Sequence, residues 1–193
     1  MSRSISFAVL VGVGLLAVAS GPILGAGDKK DKGPPEPPPP GPEHKLLKDL
    51  AGTFDARVTV ILAPAKNLES KGVMKRQMVL DGRFLHEEYE GSFADRPFKG
   101  IGLSGYDTIK KKYVSVWADS MTNSIMTSEG TYDEKTKSFH YSGEDVDAST
   151  GKKLKVRDVL KIAGPDEQTL EMFRQAPGGA EFKMMEIHYV RKK

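Results

Sequence analysis

The sequence predicts an all-β protein: one up-and-down antiparallel barrel of about ten strands, with a short helix near one mouth. Three observations predict it. A small pattern occurs twice, Gly105-Tyr106-Asp107 leading through a lysine-rich turn to Tyr113, and Thr131-Tyr132-Asp133 leading through another to Phe139. Period-two alternation recurs from Phe54 to the C-terminus and leaves no room for a second helix. The connectors are short and rich in turn residues, as at Asp81-Gly82, Gly164-Pro165-Asp166 and Pro177-Gly178-Gly179. A meander this long gains by closing on itself, because closure leaves no unpaired strand edge.

The N-terminus reads as an address. Arg3 precedes the apolar run ISFAVLVGVGLLAVA, which is short for a membrane span and is followed by small residues. Residues 1–26 are therefore expected to be a signal peptide, cleaved after Ala19 or Ala26, with an uncleaved anchor as the alternative. Export to the periplasm or beyond follows in either case. Residues 27–42, GDKKDKGPPEPPPPGP, hold charge and proline but no core-forming side chains, and are expected to be a stiff, disordered spacer. The domain proper spans residues 43–193.

Glu43 to Leu50 carries Leu46, Leu47 and Leu50 on one helical face, with Pro42 at its start and Gly52 beyond its end. A helix of that size can plug one barrel mouth. In the first strand Phe54, Ala56, Val58, Val60 and Leu62 alternate with polar residues; in the second Met74, Met78 and Leu80 form the apolar set, ending in an Asp81-Gly82 hairpin signal. Arg83 to Glu90 breaks the rule, since neither Phe84, His86, Glu88 and Glu90 nor Leu85, Glu87 and Tyr89 make an apolar face. That implies an edge or an interior with polar groups to satisfy. Gly100, Gly102 and Gly105 imply a bend, or a backbone that something approaches closely. Tyr113, Ser115, Trp117 and Asp119 share a face. The remaining strands lie near Asn123–Thr131, Lys137–Gly143, Lys153–Ile162, Gln168–Arg174 and Glu181–Arg191; only Asp158 interrupts the inward set Leu154, Val156, Leu160 and Ile162.

A length of 193 residues suits one domain. The net charge of +3 comes from 29 basic and 26 acidic residues, too even a balance for nucleic acid. The lack of cysteine excludes disulfides, thiolate metal sites and cysteine nucleophiles. There is no Gly-x-Ser-x-Gly, phosphate loop or His-Glu-x-x-His, so the sequence leans away from an enzyme. His86, His140 and His188 are weak candidates for haem or metal, which would need one or more of them facing inward. The eight methionines suit irregular apolar volumes or varied ligands.

The stretches LLKDLAGTFDARV, RFLHEEYEG, GLSGYDTIKKKYVSVWADSMTNSIMTSEGTYD and EIHYVRK carry a resemblance over roughly Pro42 to Lys193 to the bacterial domain of unknown function 1579 family. The resemblance implies a calycin-like barrel related to lipocalins and fatty-acid-binding proteins, and with it a small apolar or amphipathic ligand. It carries over no functional residues. Calycins typically have Gly-x-Trp at the first strand; here it is Gly52-Thr53-Phe54, with Phe54 able to pack in the tryptophan's place.

The leading expectation is thus an exported barrel that binds a small hydrophobic or amphipathic molecule. Trp117, Tyr113 and Met126 would line it, and Arg76 and Glu88 would meet a polar end. A haem or metal barrel using a strand histidine, and an envelope structural protein with a filled barrel, are the alternatives. Cofactor and oligomeric state stay open, and no membrane span is expected once the signal is removed.

Overall fold

Ten antiparallel strands close into one barrel in the order β1-β10-β9-β8-β7-β6-β5-β4-β3-β2. The computed structural model describes residue 36 and residues 38–193, except 64, 65, 148, 149, 176 and 177. The expected signal peptide and residues 27–35 and 37 of the expected spacer lie outside the described residues. Residues 39–193 form one compact unit.

The elements are α1 (Pro42–Asp49), β1 (Gly52–Ala63), β2 (Lys66–Val79), β3 (Phe84–Phe93), β4 (Arg96–Asp107), β5 (Lys112–Asp119), β6 (Met126–Asp133), β7 (Ser138–Val146), β8 (Lys153–Ile162), β9 (Glu167–Gln175) and β10 (Glu181–Arg191). Pro42, which the sequence assigned to the spacer, starts the helix, where its missing N–H costs nothing. The Gly41 N–H donates to His44 Nδ1 at 3.0 Å and fixes the first turn. Leu47 and Leu50 are almost fully buried, packed with Leu85, Tyr113, Phe139 and Leu160. Tyr113 also donates from its hydroxyl to the Glu43 carbonyl at 3.3 Å, so α1 stoppers this end of the barrel.

The barrel closes through β1 and β10, in the register Phe54↔Arg191 to Val60↔Met185. With period two, one register fixes which residues point inward on every strand. Phe54, Ala56, Val58 and Val60 face the interior, opposite Tyr189, Ile187 and Met185 across the seam. The repeated Tyr-Asp pattern takes the same shape twice. Asp107 Oδ1 accepts the N–H groups of Ile109 and Lys110, and Asp133 Oδ1 those of Lys135 and Thr136. Each turn then passes through one left-handed lysine, Lys111 or Lys137. Asp119 does the same for Met121 and Thr122, so β6 begins at Met126 instead of near Asn123.

The β2–β3 connection differs from the sequence expectation. β2 ends at Val79, and Leu80, Asp81 and Gly82 all take positive φ in a four-residue turn. Leu80 is exposed there and belongs to no core face.

Candidate functional site

The interior divides into two apolar clusters. One, at the α1 end, gathers Leu47, Leu50, Leu85, Tyr113, Phe139 and Leu160; the other gathers Phe54, Val58, Val60, Met74, Tyr89 and Tyr189. Polar side chains lie among them. Arg76 on β2 stands opposite Glu87 on β3 and donates from Nε to Glu87 Oε1 at 2.7 Å. Its Nη1 donates to Gln168 Oε1 at 2.7 Å, and the guanidinium lies 4.6 Å from the centroid of the Tyr189 ring. Burial works against the Arg76 charge, but Glu87 and Tyr189 together outweigh it and keep the guanidinium protonated. The same burial pushes the Tyr189 phenol up to about 12, with Arg76 opposing the rise. Ser104 and Ser115 continue the polar layer, hydroxyl to hydroxyl at 3.0 Å.

Solvent reaches the half of the interior away from α1. Glu87, Ser115, Ser128, Asp158 and Met172 all face inward from within their strands, with Tyr141 at the border with the closed half, yet each is only partly buried. A side chain that points into a closed barrel stays partly exposed only where space adjoins it. The Tyr141 and Ser128 hydroxyls have no protein hydrogen-bond partner among the described residues. Burial pushes the Tyr141 phenol well above its usual range, and the Glu87 carboxylate adds to the shift. Nearer the open end, Arg174 Nη1 donates to Asp158 Oδ1 at 3.1 Å; burial raises the Asp158 carboxyl, and Arg174 opposes it. Exposed Leu62, Met121, Ile125, Val146 and Phe182 stand around that mouth.

Trp117 forms a wall of this open half. It faces inward across from Gly102 on β4 and Met126 on β6, and its indole N–H donates to Asp119 Oδ2 at 3.3 Å. Gly100 and Gly102 make room for the ring. A Cβ on Gly100 would lie 2.2 Å from Trp117 Cζ2, and one on Gly102 3.1 Å from Cε3. The close approach that the glycines implied is that of an indole from the neighbouring strand.

Of the residues expected to line the cavity, Arg76, Trp117 and Met126 face the interior. Tyr113 is inward but buried against α1, in the closed half. Glu88 is a correction. It points outward and is exposed, 3.9 Å from His86, and the neighbouring Glu87 takes the place beside Arg76. His86, His140 and His188 also face outward: His140 Nε2 meets Ser138 Oγ at 2.8 Å, and His188 lies 3.7 Å from Glu167. No strand histidine projects into the barrel, so the interior haem or metal site has no imidazole to hold it. Asp158 was the one inward outlier of β8, and its partner Arg174 on β9 explains it.

Tyr89 carries a cost of its own. Its hydroxyl is buried without a partner, over Gly72 and Gly91, where an added Cβ would come within 2.3 and 2.7 Å of the oxygen. An unsatisfied buried hydroxyl costs about 1–3 kcal/mol. Tyr89→Phe is therefore expected to stabilise the fold by about 1 kcal/mol in a urea titration. Destabilisation would mean that the hydroxyl has a partner in solution.

Fold and interior together define a calycin-like barrel, stoppered at one end and open at the other. The chain belongs to the family described as protein of unknown function (DUF1579), whose pattern matches residues 39–191. No curated protein matches it. Among solved structures it is similar to the S-type phycobiliprotein lyase CPES from Guillardia theta, at 13% identity and a TM-score of 0.57, covering 78% of this chain and 93% of that one. It is likewise similar to Rv2717c from M. tuberculosis, at 15% identity and a TM-score of 0.56, covering 79% and 99%. At such identities the likeness is one of fold.

Proposed function

We propose that this protein is an exported binding barrel whose open half holds a small amphipathic molecule. One observation carries the reading: mid-strand inward side chains around Trp117, Glu87 and Tyr141 are partly exposed, and two of their hydroxyls lack partners. A filled structural barrel would bury these positions and pair their polar atoms. Trp117, Met126, Met172 and Met185 supply polarisable apolar walls that adapt to different chains. Ligands bind where mostly apolar walls surround a few placed polar groups, and this half has both. Likeness to a barrel named as a phycobiliprotein lyase supports a binding role at the level of class. The signal-like N-terminus supports export, which fractionation and N-terminal sequencing of the protein from its own cells test directly.

Trp117 is the only tryptophan and so reports on the site. Titration with Nile red, an apolar uncharged dye, should alter its emission and raise the dye's own fluorescence. Met126→Arg, which puts a cation beside the indole, should abolish the response while leaving the circular dichroism of the fold unchanged. A dye signal that survives Met126→Arg would place binding elsewhere.

A further inference from the structure

Deep in the open half the charged side chains occur as neutralised pairs. Its inward-facing carboxylates are Glu87, Asp119, Asp145 and Asp158; its inward-facing cations are Arg76 and Arg174, with Lys66 and Arg96 on the same face at the exposed strand ends. Both deep cations are already engaged, Arg76 with Glu87 and Gln168, and Arg174 with Asp158 and the Phe173 carbonyl. Asp119 and Asp145 accept hydrogen bonds from their own turns and strand ends, which leaves their charge in place. Among the described residues deep in this half no inward-facing cation is left to meet an anionic head group, and Lys66 and Arg96 share the inward face only at the exposed strand ends of the mouth.

What the site does offer is acceptors and hydroxyls. Glu87 Oε2 receives only a long 3.4 Å contact from Ser104, and the Ser128 and Tyr141 hydroxyls are unengaged. Trp117 stands between Gly102 on β4 and Met126 on β6, so an apolar chain can lie along the indole and the thioether with its head toward Glu87. A carboxylate placed there would face the Glu87 carboxylate at short range, where like charges repel. A hydroxyl would instead donate to Glu87 and accept from Tyr141.

We infer that the barrel selects amphiphiles whose polar end donates hydrogen bonds and carries no negative charge, such as long-chain alcohols, and discriminates against fatty carboxylates. This rests on the binding-barrel reading and goes beyond it by naming the head group. It inverts the simplest expectation from a buried arginine, because Arg76 is neutralised from the neighbouring strand.

The test is displacement of Nile red from the full-length protein by dodecan-1-ol and by dodecanoate, matched in chain length and kept below aggregation. The alcohol should compete at least tenfold more tightly at pH 7. Glu87→Gln removes the facing charge and leaves Arg76 uncompensated, so the gap should close or reverse. Tyr141→Phe, which removes one hydroxyl and no charge, should weaken the alcohol severalfold and leave the carboxylate unchanged. Dodecanoate competing as well as the alcohol in the wild-type protein would overturn the inference and leave the binding barrel standing. If the dye binds and neither compound displaces it, the head-group assignment fails. If nothing binds, dye included, the binding reading falls with it.

Discussion

Phe139→Ala is expected to cost about 3–5 kcal/mol of folding stability, the range for emptying a large aromatic site in a core. Phe139 is fully buried and lies at the middle of the closed half. Its ring centroid is 4.9 Å from Tyr113, 4.8 Å from Tyr132 and 6.1 Å from Tyr141. Tyr113 in turn holds α1 through the Glu43 carbonyl, so the vacancy also loosens the stopper. The neighbours sit on strands paired along their lengths and cannot collapse into the space, which puts the cost at the upper end of the range. Urea denaturation checks this. A loss below about 1 kcal/mol would mean that the aromatic cluster does not organise the closed half.

The second large effect is expected at Arg76. Arg76→Leu removes the partner of Glu87 and of Gln168 at once and strands a carboxylate in the interior. Breaking a buried pair from one side costs about 3–5 kcal/mol. Glu87 keeps 15% of its side-chain exposure, so the lower end of that range is expected. Arg76→Leu/Glu87→Leu should recover most of the loss, because two apolar side chains demand no compensation. A double variant no more stable than the single one would show that the ion pair is a structural requirement in itself.

Much of this architecture could be read from the residues because each strand speaks twice, through alternation and through its turns. β1 alternates cleanly and β8 does so apart from Asp158, and the two Tyr-Asp turns announce themselves as a repeat that the aspartate hydrogen bonds explain. The faces of β3 were harder. Its sequence places Glu87, Glu88 and Glu90 within a few residues, and the choice between the two parities rests on where the strand starts. The left-handed run Leu80-Asp81-Gly82 lengthens the preceding turn and sets β3 to start at Phe84. Nothing local to β3 says that Glu87 will find Arg76, because the arginine's inward position is set by the pairing of β2 with β1. That α1 plugs one mouth was legible from its three leucines and its place before the meander; that Tyr113 is spent on that helix instead of on a ligand was not.

Asp158 shows how an exception becomes a signal. A lone acid in an otherwise apolar strand face requires a cation on a neighbour, and Arg174 on the next strand supplies it. The same logic applied to the polar face of β3 would have asked which cation it meets.

The central claim, that the open half holds a small amphipathic molecule, is tested most directly by native mass spectrometry of the folded protein purified from its own cells. The account predicts a fraction of protein carrying the mass of one small organic molecule, lost on unfolding and absent from Met126→Arg prepared in the same way. Wild-type protein that shows only its bare mass, and that takes up neither Nile red nor dodecan-1-ol when these are added, would contradict it and leave a barrel whose interior serves stability alone.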